Sequence, residues 1–290
     1  MIEVSKDILK NIYPKRPNVR RKYDYGLLIV IGGSEFYSGP PALSSLAAFH
    51  SGVDMVRIIA PKRAADIIAS FTPNLAAYPL KGDLLTKEHL ATLLEMTKGA
   101  KEVARGKAAV VIGGGMGRSQ ETQEVIVDFL SEISNVDIPC VIDADAIHAV
   151  YNKPEIISGK LFLFTPHSYE FSILTGKEVF GKTDEEKIKI VQEEAQRLQT
   201  TILLKGEIDI ISNGQEVALN KTGTSFLTVG GTGDTLAGIA GALLARGISP
   251  FEAGQAAAYI NGLAGEISAK KLGESLTATD LIEEIPEVLK

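Results

Sequence analysis

Six short apolar runs decide what this chain can fold into. They lie at Leu27–Ile31, residues 55–60, Ala108–Ile112, Cys140–Ile142, residues 161–164 and Thr201–Leu204. Each has strand rather than helix length, and helical periodicity fills segments between them, at residues 41–51, 121–133 and Asp184–Leu198. Strands apolar on both faces that alternate with helices belong in a mostly parallel sheet covered on two sides. The pattern changes after Leu204. Residues 208–212 and 216–219 flank Asn213-Gly214, a hairpin signal, and helices dominate from Thr235 onward. No repeat, low-complexity tract or linker interrupts the sequence, so residues 1–290 are read as a single three-layer α/β/α domain.

Ligands of such sheets sit outside the carboxyl ends of the strands. Those ends are distinctive here: Ile31-Gly-Gly-Ser34, Ile112-Gly-Gly-Gly-Met-Gly117, Ile142-Asp-Ala-Asp145, Thr165-Pro-His-Ser-Tyr-Glu170 and Leu204-Lys-Gly206. Together they predict a pocket of glycine backbone and polar side chains.

One stretch imitates a phosphate loop. Gly176-Lys-Glu-Val-Phe-Gly-Lys-Thr183 fits G-x-x-x-x-G-K-[ST] letter for letter. Its flanks are wrong. The residues before Gly176 have helical spacing, and Thr183 with Glu186 forms a capping box that opens another helix. The match is therefore a coincidence. No G-x-G-x-x-G fingerprint exists either.

The better candidate is Val229-Gly-Gly-Thr-Gly-Asp-Thr-Leu-Ala-Gly238, where glycines crowd the start of a small-residue helix. Free N–H groups and the helix dipole make an anion hole there, with Asp234 at its mouth. A phosphoryl acceptor must lose a proton and be aimed in line, which an aspartate can do. With an ordinary pKa of about 3.9, it is a weak base at neutral pH and must rely on late proton transfer.

Bulk properties exclude several functions. The net charge of −6 argues against general nucleic-acid binding. The basic segment at residues 15–22, KRPNVRRK, is read as a solvated face. A single cysteine, Cys140, excludes an internal disulfide framework and sits in an apolar run as a buried thiol. No signal-peptide pattern or long apolar stretch is present, so a soluble cytoplasmic location is expected.

Taken together, GLLIVIGGSEFYSG, VIDADAI, FTPHSYEFSILTG, TILLKGEIDII, VGGTGDTLAGIAGALLARG and AAAYINGLAGE resemble the ribokinase-like superfamily. More closely they resemble the ADP/ATP-dependent NAD(P)H-hydrate dehydratases, across nearly the whole chain and in the same order. The resemblance implies a ribokinase-like fold and repair of hydrated NADH or NADPH by phosphorylation and elimination, with ADP preferred to ATP. It implies that Asp234 is the catalytic acid–base residue contacting the hydrated nicotinamide. Lys205, Gly206, Glu207, Ile208 and Asp209, with Gly231, Thr232 and Gly233, would bind the nucleotide. Pro40, Gly117 and His167 would contact the hydrate, and Glu170 would organise Mg2+ through phosphate or water. A homo-tetramer without a fused epimerase domain is the implied assembly. Gly39-Pro40-Pro41, Gly113-Gly-Gly-Met-Gly117 and Thr222-Gly-Thr-Ser-Phe-Leu227 depart from the family pattern, mostly on the acceptor side. A kinase of a vitamin precursor or sugar-like alcohol in the same superfamily is the alternative.

Overall fold

The computed structural model describes residues 1–290. Ten strands form one sheet: β1 (Ile2–Glu3), β2 (Leu27–Ile31), β3 (Met55–Pro61), β4 (Ala76–Leu80), β5 (Ala108–Ile112), β6 (Cys140–Ile142), β7 (Phe162–Phe164), β8 (Thr201–Leu204), β9 (Asp209–Ser212) and β10 (Val217–Asn220). Their spatial order is β1-β10-β9-β8-β7-β6-β5-β2-β3-β4. From β8 to β4 every neighbour is parallel, whereas β9 pairs antiparallel with β8 and, through the Asn213-Gly214 turn, with β10. All six apolar runs are strands of the parallel part. Their side chains alternate between two cores of similar size, 43 and 39 buried residues, so neither face of the sheet is solvated. Leu28 and Val30 point into one, and Leu27, Ile29 and Ile31 into the other.

Helices α1 (Asp7–Ile12), α2 (Gly39–His50) and α3 (Lys62–Phe71) contribute to the first core, while α4 (Leu90–Val103), α5 (Gln120–Ser134), α6 (Asp145–Ala149), α7 (Pro154–Ile157), α8 (Ser168–Thr175) and α9 (Asp184–Leu198) cover the second. Helices α10 (Thr232–Ala245), α11 (Pro250–Leu272) and α12 (Ala278–Val288) return to the first. Close approach makes α10 a central support. A side-chain carbon on Gly238 would lie 2.0 Å from the Ser44 carbonyl, so α2 and α10 touch backbone to backbone.

Strand order also locates the crevice. The chain runs outward from β2 to β3 and β4, then returns to the other side of β2 with β5 and continues outward to β10. The carboxyl ends of β2 and β5 therefore diverge at a switch point, where open α/β sheets hold ligands. There Gly33 N–H donates to Gly114 O at 2.9 Å.

Several boundaries differ from the sequence reading. Helix α2 begins at Gly39 because Pro40 and Pro41 occupy its first turn, where a missing N–H costs nothing. Strands β4 and β1 carry no strong apolar run, since both are mainly exposed. Cys140 is fully buried, and burial raises its thiol pKa well above the ordinary value. The segment at residues 15–22 is exposed, but Arg16 is tied down: it stacks 3.7 Å from the Tyr25 ring centroid and donates to Gly52 O at 2.8 Å. No helix is long and apolar enough to cross a membrane.

Candidate active site

The glycine-rich loop before α10 ends in Gly231, the N-cap, at φ 100°. That left-handed backbone needs glycine, and a side-chain carbon would also meet Leu43 Cδ1 at 2.7 Å. The first intrahelical bond, Thr235 N–H to Gly231 O at 3.0 Å, leaves the N–H groups of Thr232, Gly233 and Asp234 ahead of the ladder. No side chain caps this end. Open donors and a helix dipole therefore remain for an anion. Thr232 serves by its backbone, because its hydroxyl donates to Leu227 O at 2.7 Å. From α11, Asn261 braces the turn, accepting from Thr235 Oγ1 at 2.6 Å and donating to Thr232 O at 3.3 Å.

Asp234 stands at the third helical position rather than at the cap itself. Burial, then the nearby Asp143 charge, pushes its pKa up to about 7; Lys205 opposes the rise and Glu170 adds to it. The sequence reading assigned it ordinary basicity. The site instead makes it a base matched to neutral pH.

Four other strand ends, those of β5, β6, β7 and β8, meet this carboxylate. After β5, Gly113 has φ 134°, and a side-chain carbon there would fall 1.8 Å from Asp143 O. Gly114 packs against both Pro40 and Asp234: its side-chain carbon would be 2.8 Å from Pro40 Cβ and 3.0 Å from Asp234 Oδ1. Gly117 N–H donates to Asp145 Oδ2 at 2.9 Å, which fixes the end of this loop. After β8, Lys205 turns its ammonium toward Asp143 Oδ1 at 3.2 Å and Glu170 Oε2 at 3.7 Å. A side-chain carbon on Gly233 would lie 3.4 Å from the same Nζ, so lysine and anion loop are neighbours.

His167 is first of all a helix cap. Its Nδ1 accepts from Tyr169 N–H at 3.2 Å and Glu170 N–H at 3.3 Å, while Glu170 Oε2 accepts from His167 N–H at 2.9 Å. Only Nε2 is left for a ligand, and it lies 3.4 Å from Glu170 Oε1. Asp209 shapes the 205–209 loop, with Oδ1 accepting from Gly206 N–H at 3.1 Å and Oδ2 from Asn220 Nδ2 at 3.0 Å. Burial raises its pKa to about 6 against those two bonds. Gly206 and Glu207 are exposed, and Ile208 is half-buried.

No group of three or more His, Cys, Asp or Glu side chains gathers to hold a metal ion. Glu170 is turned toward His167 and Lys205 instead. Magnesium held by nucleotide phosphates and water would need no such cluster.

Asp143 is the residue that sequence reasoning passed over. It is 4% exposed and accepts from Thr165 Oγ1 at 2.8 Å as well as from Lys205. Its strand end was visible as Asp-Ala-Asp, but the turn that aims it, with Ala144 at φ 46°, left no mark in the letters. The phosphate-loop imitation lies elsewhere. Residues 176–183 connect α8 to α9, Gly176 closes α8 at φ 74°, and the Thr183–Glu186 capping box opens α9.

A doubly covered parallel sheet with a glycine-rich anion loop and an adjacent carboxyl base defines a ribokinase-like α/β protein. The structure superposes on a ribokinase-like superfamily protein of Enterococcus faecalis with TM-score 0.83 and 25% identity, covering 99% of this chain and 95% of that one. It also superposes on the ADP/ATP-dependent NAD(P)H-hydrate dehydratase of Bacillus subtilis, co-crystallised with ATP and Mg2+, with TM-score 0.78. At 23% identity, over 99% and 97% of the two chains, that likeness speaks for the fold. A family model described as NAD(P)H-hydrate dehydratase matches residues 28–287, and the chain belongs to this family. The bifunctional NAD(P)H-hydrate repair enzyme of Pyrobaculum aerophilum is 40% identical over 270 residues, 93% of this chain and 52% of that protein. The chain thus spans about half the length of the first curated relatives it matches. It matches the ADP-dependent (S)-NAD(P)H-hydrate dehydratase of Cenarchaeum symbiosum nearly end to end, at 38% identity over 99% of this chain and 96% of that one.

Proposed function

We propose that residues 1–290 act as one unit that dehydrates hydrated NADH and NADPH at the expense of a nucleotide, with ADP preferred to ATP. Hydroxide is a poor leaving group, water having a pKa of about 15.7. Asp234 takes the proton of the ring hydroxyl as its oxygen attacks the terminal phosphorus. The new O–P bond forms while the P–O bond to the departing nucleotide breaks, so ADP leaves AMP and ATP leaves ADP. A phosphate, with a second pKa of about 6, departs readily. It takes the C–O electron pair, pushed by the lone pair of the ring nitrogen. Loss of a proton from the neighbouring ring carbon restores the double bond, and one phosphoryl group is consumed per ring repaired.

The observation that carries this reading is the Asp234 carboxyl group in the first turn of α10, beside open N–H donors, where burial raises its pKa. Gly231, Thr232 and Gly233 hold phosphates by backbone, and Lys205, Gly206, Glu207, Ile208 and Asp209 form the nucleotide side. Pro40, Gly117 and His167 line the acceptor side, His167 through Nε2. Glu170 would reach Mg2+ through phosphate or water, and the ion would neutralise phosphate charge. The end-to-end match to the archaeal ADP-dependent dehydratase supports both the acceptor and the donor. A tetrameric assembly and a cytoplasmic location belong to the same proposal.

Incubation with hydrated NADH and either nucleotide tests it. Absorbance of reduced nicotinamide should rise, with one phosphate released per ring restored and a faster rate with ADP. A stable phosphorylated product without recovered NADH would replace the repair reading with that of a small-molecule kinase.

A further inference from the structure

Two buried carboxylates in this site share one cation. Asp143 is 4% and Glu170 6% exposed, and they come from different strand ends, after β6 and β7. Burying two anions is costly unless each has a counter-charge and filled hydrogen bonds. Thr165 Oγ1 and the His167 N–H supply the hydrogen bonds. The charge comes from Lys205, whose ammonium lies 3.2 Å from Asp143 Oδ1 and 3.7 Å from Glu170 Oε2, and His167 Nε2 is the other neighbour of Glu170, 3.4 Å from Oε1. Burial lowers the lysine pKa, but the two carboxylates outweigh it and the net shift is upward, so the ammonium stays charged.

This arrangement has the form of a metal seat: two acidic side chains converging on a positive charge beside an anion loop. Lysine fills it, and its Nζ lies 3.4 Å from where a side-chain carbon of Gly233 would be. Three donor hydrogens exceed the two carboxylate partners, which leaves the ammonium a direction toward the loop's N–H groups. Such a charge is worth most where phosphoryl negative charge develops away from water.

We propose that Lys205, clamped between Asp143 and Glu170, is the resident cation of the phosphoryl-transfer site and touches the oxygens of the moving phosphoryl group. Lys205 is then a catalytic residue, and Asp143 and Glu170 are positioning residues. The inference rests on the nucleotide-dependent reading above. In the transfer step the ammonium makes and breaks no covalent bond and keeps its protons. It donates hydrogen bonds to nonbridging oxygens while the hydroxyl proton goes to Asp234 and the P–O electron pair goes to the departing nucleotide.

The test is Lys205→Ala, measured in the full chain with hydrated NADH and ADP. Turnover should fall by about a hundredfold or more, the scale for losing one preorganised donor. Nucleotide affinity should fall by much less than turnover does, because the open backbone donors remain. Added methylammonium should restore turnover in a concentration-dependent way, and tetramethylammonium, which has no N–H, should not. A second readout needs no acceptor: Mn2+ alone should bind Lys205→Ala at least about tenfold more tightly than the parent, in the vacated seat between carboxylates. If Lys205→Ala does not fold, Lys205→Met with Asp143→Asn removes the charges in balance, and its turnover should still fall. Turnover near the parent's in whichever variant folds overturns the proposal. So does a loss that methylammonium cannot restore and that nucleotide affinity matches. Absence of turnover in the parent itself would instead sink the repair reading, and the Mn2+ measurement would then judge the lysine seat separately.

Discussion

At the scale of single residues, the decisive fact is that burial and a neighbouring carboxylate retune Asp234. Sequence pointed to the residue but not to its basicity, because a pKa depends on what the fold brings near, here Asp143, Lys205 and Glu170. Asp234→Asn keeps the size and removes the base. Turnover should fall by about a hundredfold or more, the scale of a lost proton acceptor, with nucleotide affinity little changed. In the parent, kcat/KM should fall as pH drops below about 7, where Asp234 takes up its proton. Stability should show the opposite trend. Because the folded-state pKa lies above the ordinary value, the native state binds more protons than the unfolded chain between about pH 4 and 7, and stability falls as pH rises through that window. Asp234→Asn escapes that penalty, so it should melt above the parent at pH 8, with the gap closing toward pH 4. Asp209, pushed up to about 6, has the same sign in both proteins and cancels from the difference. A variant that melts below the parent at pH 8, or retains full turnover, would remove Asp234 from the role of a partly buried base.

At the scale of elements, the parallel strands were legible because strands buried on both faces must be apolar throughout, as Leu27–Ile31 and Ala108–Ile112 are. The exposed edge strand Ala76–Leu80 was not, since an edge needs no such run and this one contains Pro79. Helix α9 was read to the residue because its cap is local: Thr183 and Glu186 satisfy each other's backbone. The same local chemistry disposes of the imitation phosphate loop, whose glycines end one helix and precede another. His167 taught the reverse lesson. A histidine in Thr-Pro-His reads as a ligand contact, yet its Nδ1 is occupied in capping α8. For the connection between α8 and α9, Lys182→Ala should leave turnover within about twofold of the parent, as for a surface change away from caps and core. Lys182 is half-buried rather than fully exposed, so melting should be compared first. A severe loss of turnover in a variant that melts normally would return this loop to consideration as the phosphate site.

Across the whole molecule, the sheet edge divides into two territories with one crossing point. The end of β8 carries Lys205 and the 205–209 loop, while the ends of β2 and β5 carry Gly33, Pro40 and the 113–117 loop; the end of β7 borders both, with Glu170 turned toward Lys205 and His167 exposed beside it. Asp234 links them, since Gly114 approaches it from one side and Lys205 borders its loop from the other. Donor and acceptor sites should therefore be separable by mutation. In Gly206→Val, the new side chain starts 3.2 Å from Ile208 O, crowding the turn that Asp209 ties to Gly206 N–H. Nucleotide should bind about tenfold or more weakly, a loss of about 1.4 kcal/mol, while hydrated NADH binding stays within about threefold. Gly114→Val should reverse the pattern. Its side chain starts 2.8 Å from Pro40 Cβ and 3.0 Å from Asp234 Oδ1, so it fills acceptor space and leaves the N–H groups of α10 untouched. Calorimetry with each ligand alone, on variants that melt with the parent, reads both effects. Equal loss of both ligands in either variant would mean that the two territories form one indivisible pocket, and the assignment of Lys205 and Gly206 to the donor side would fall with it.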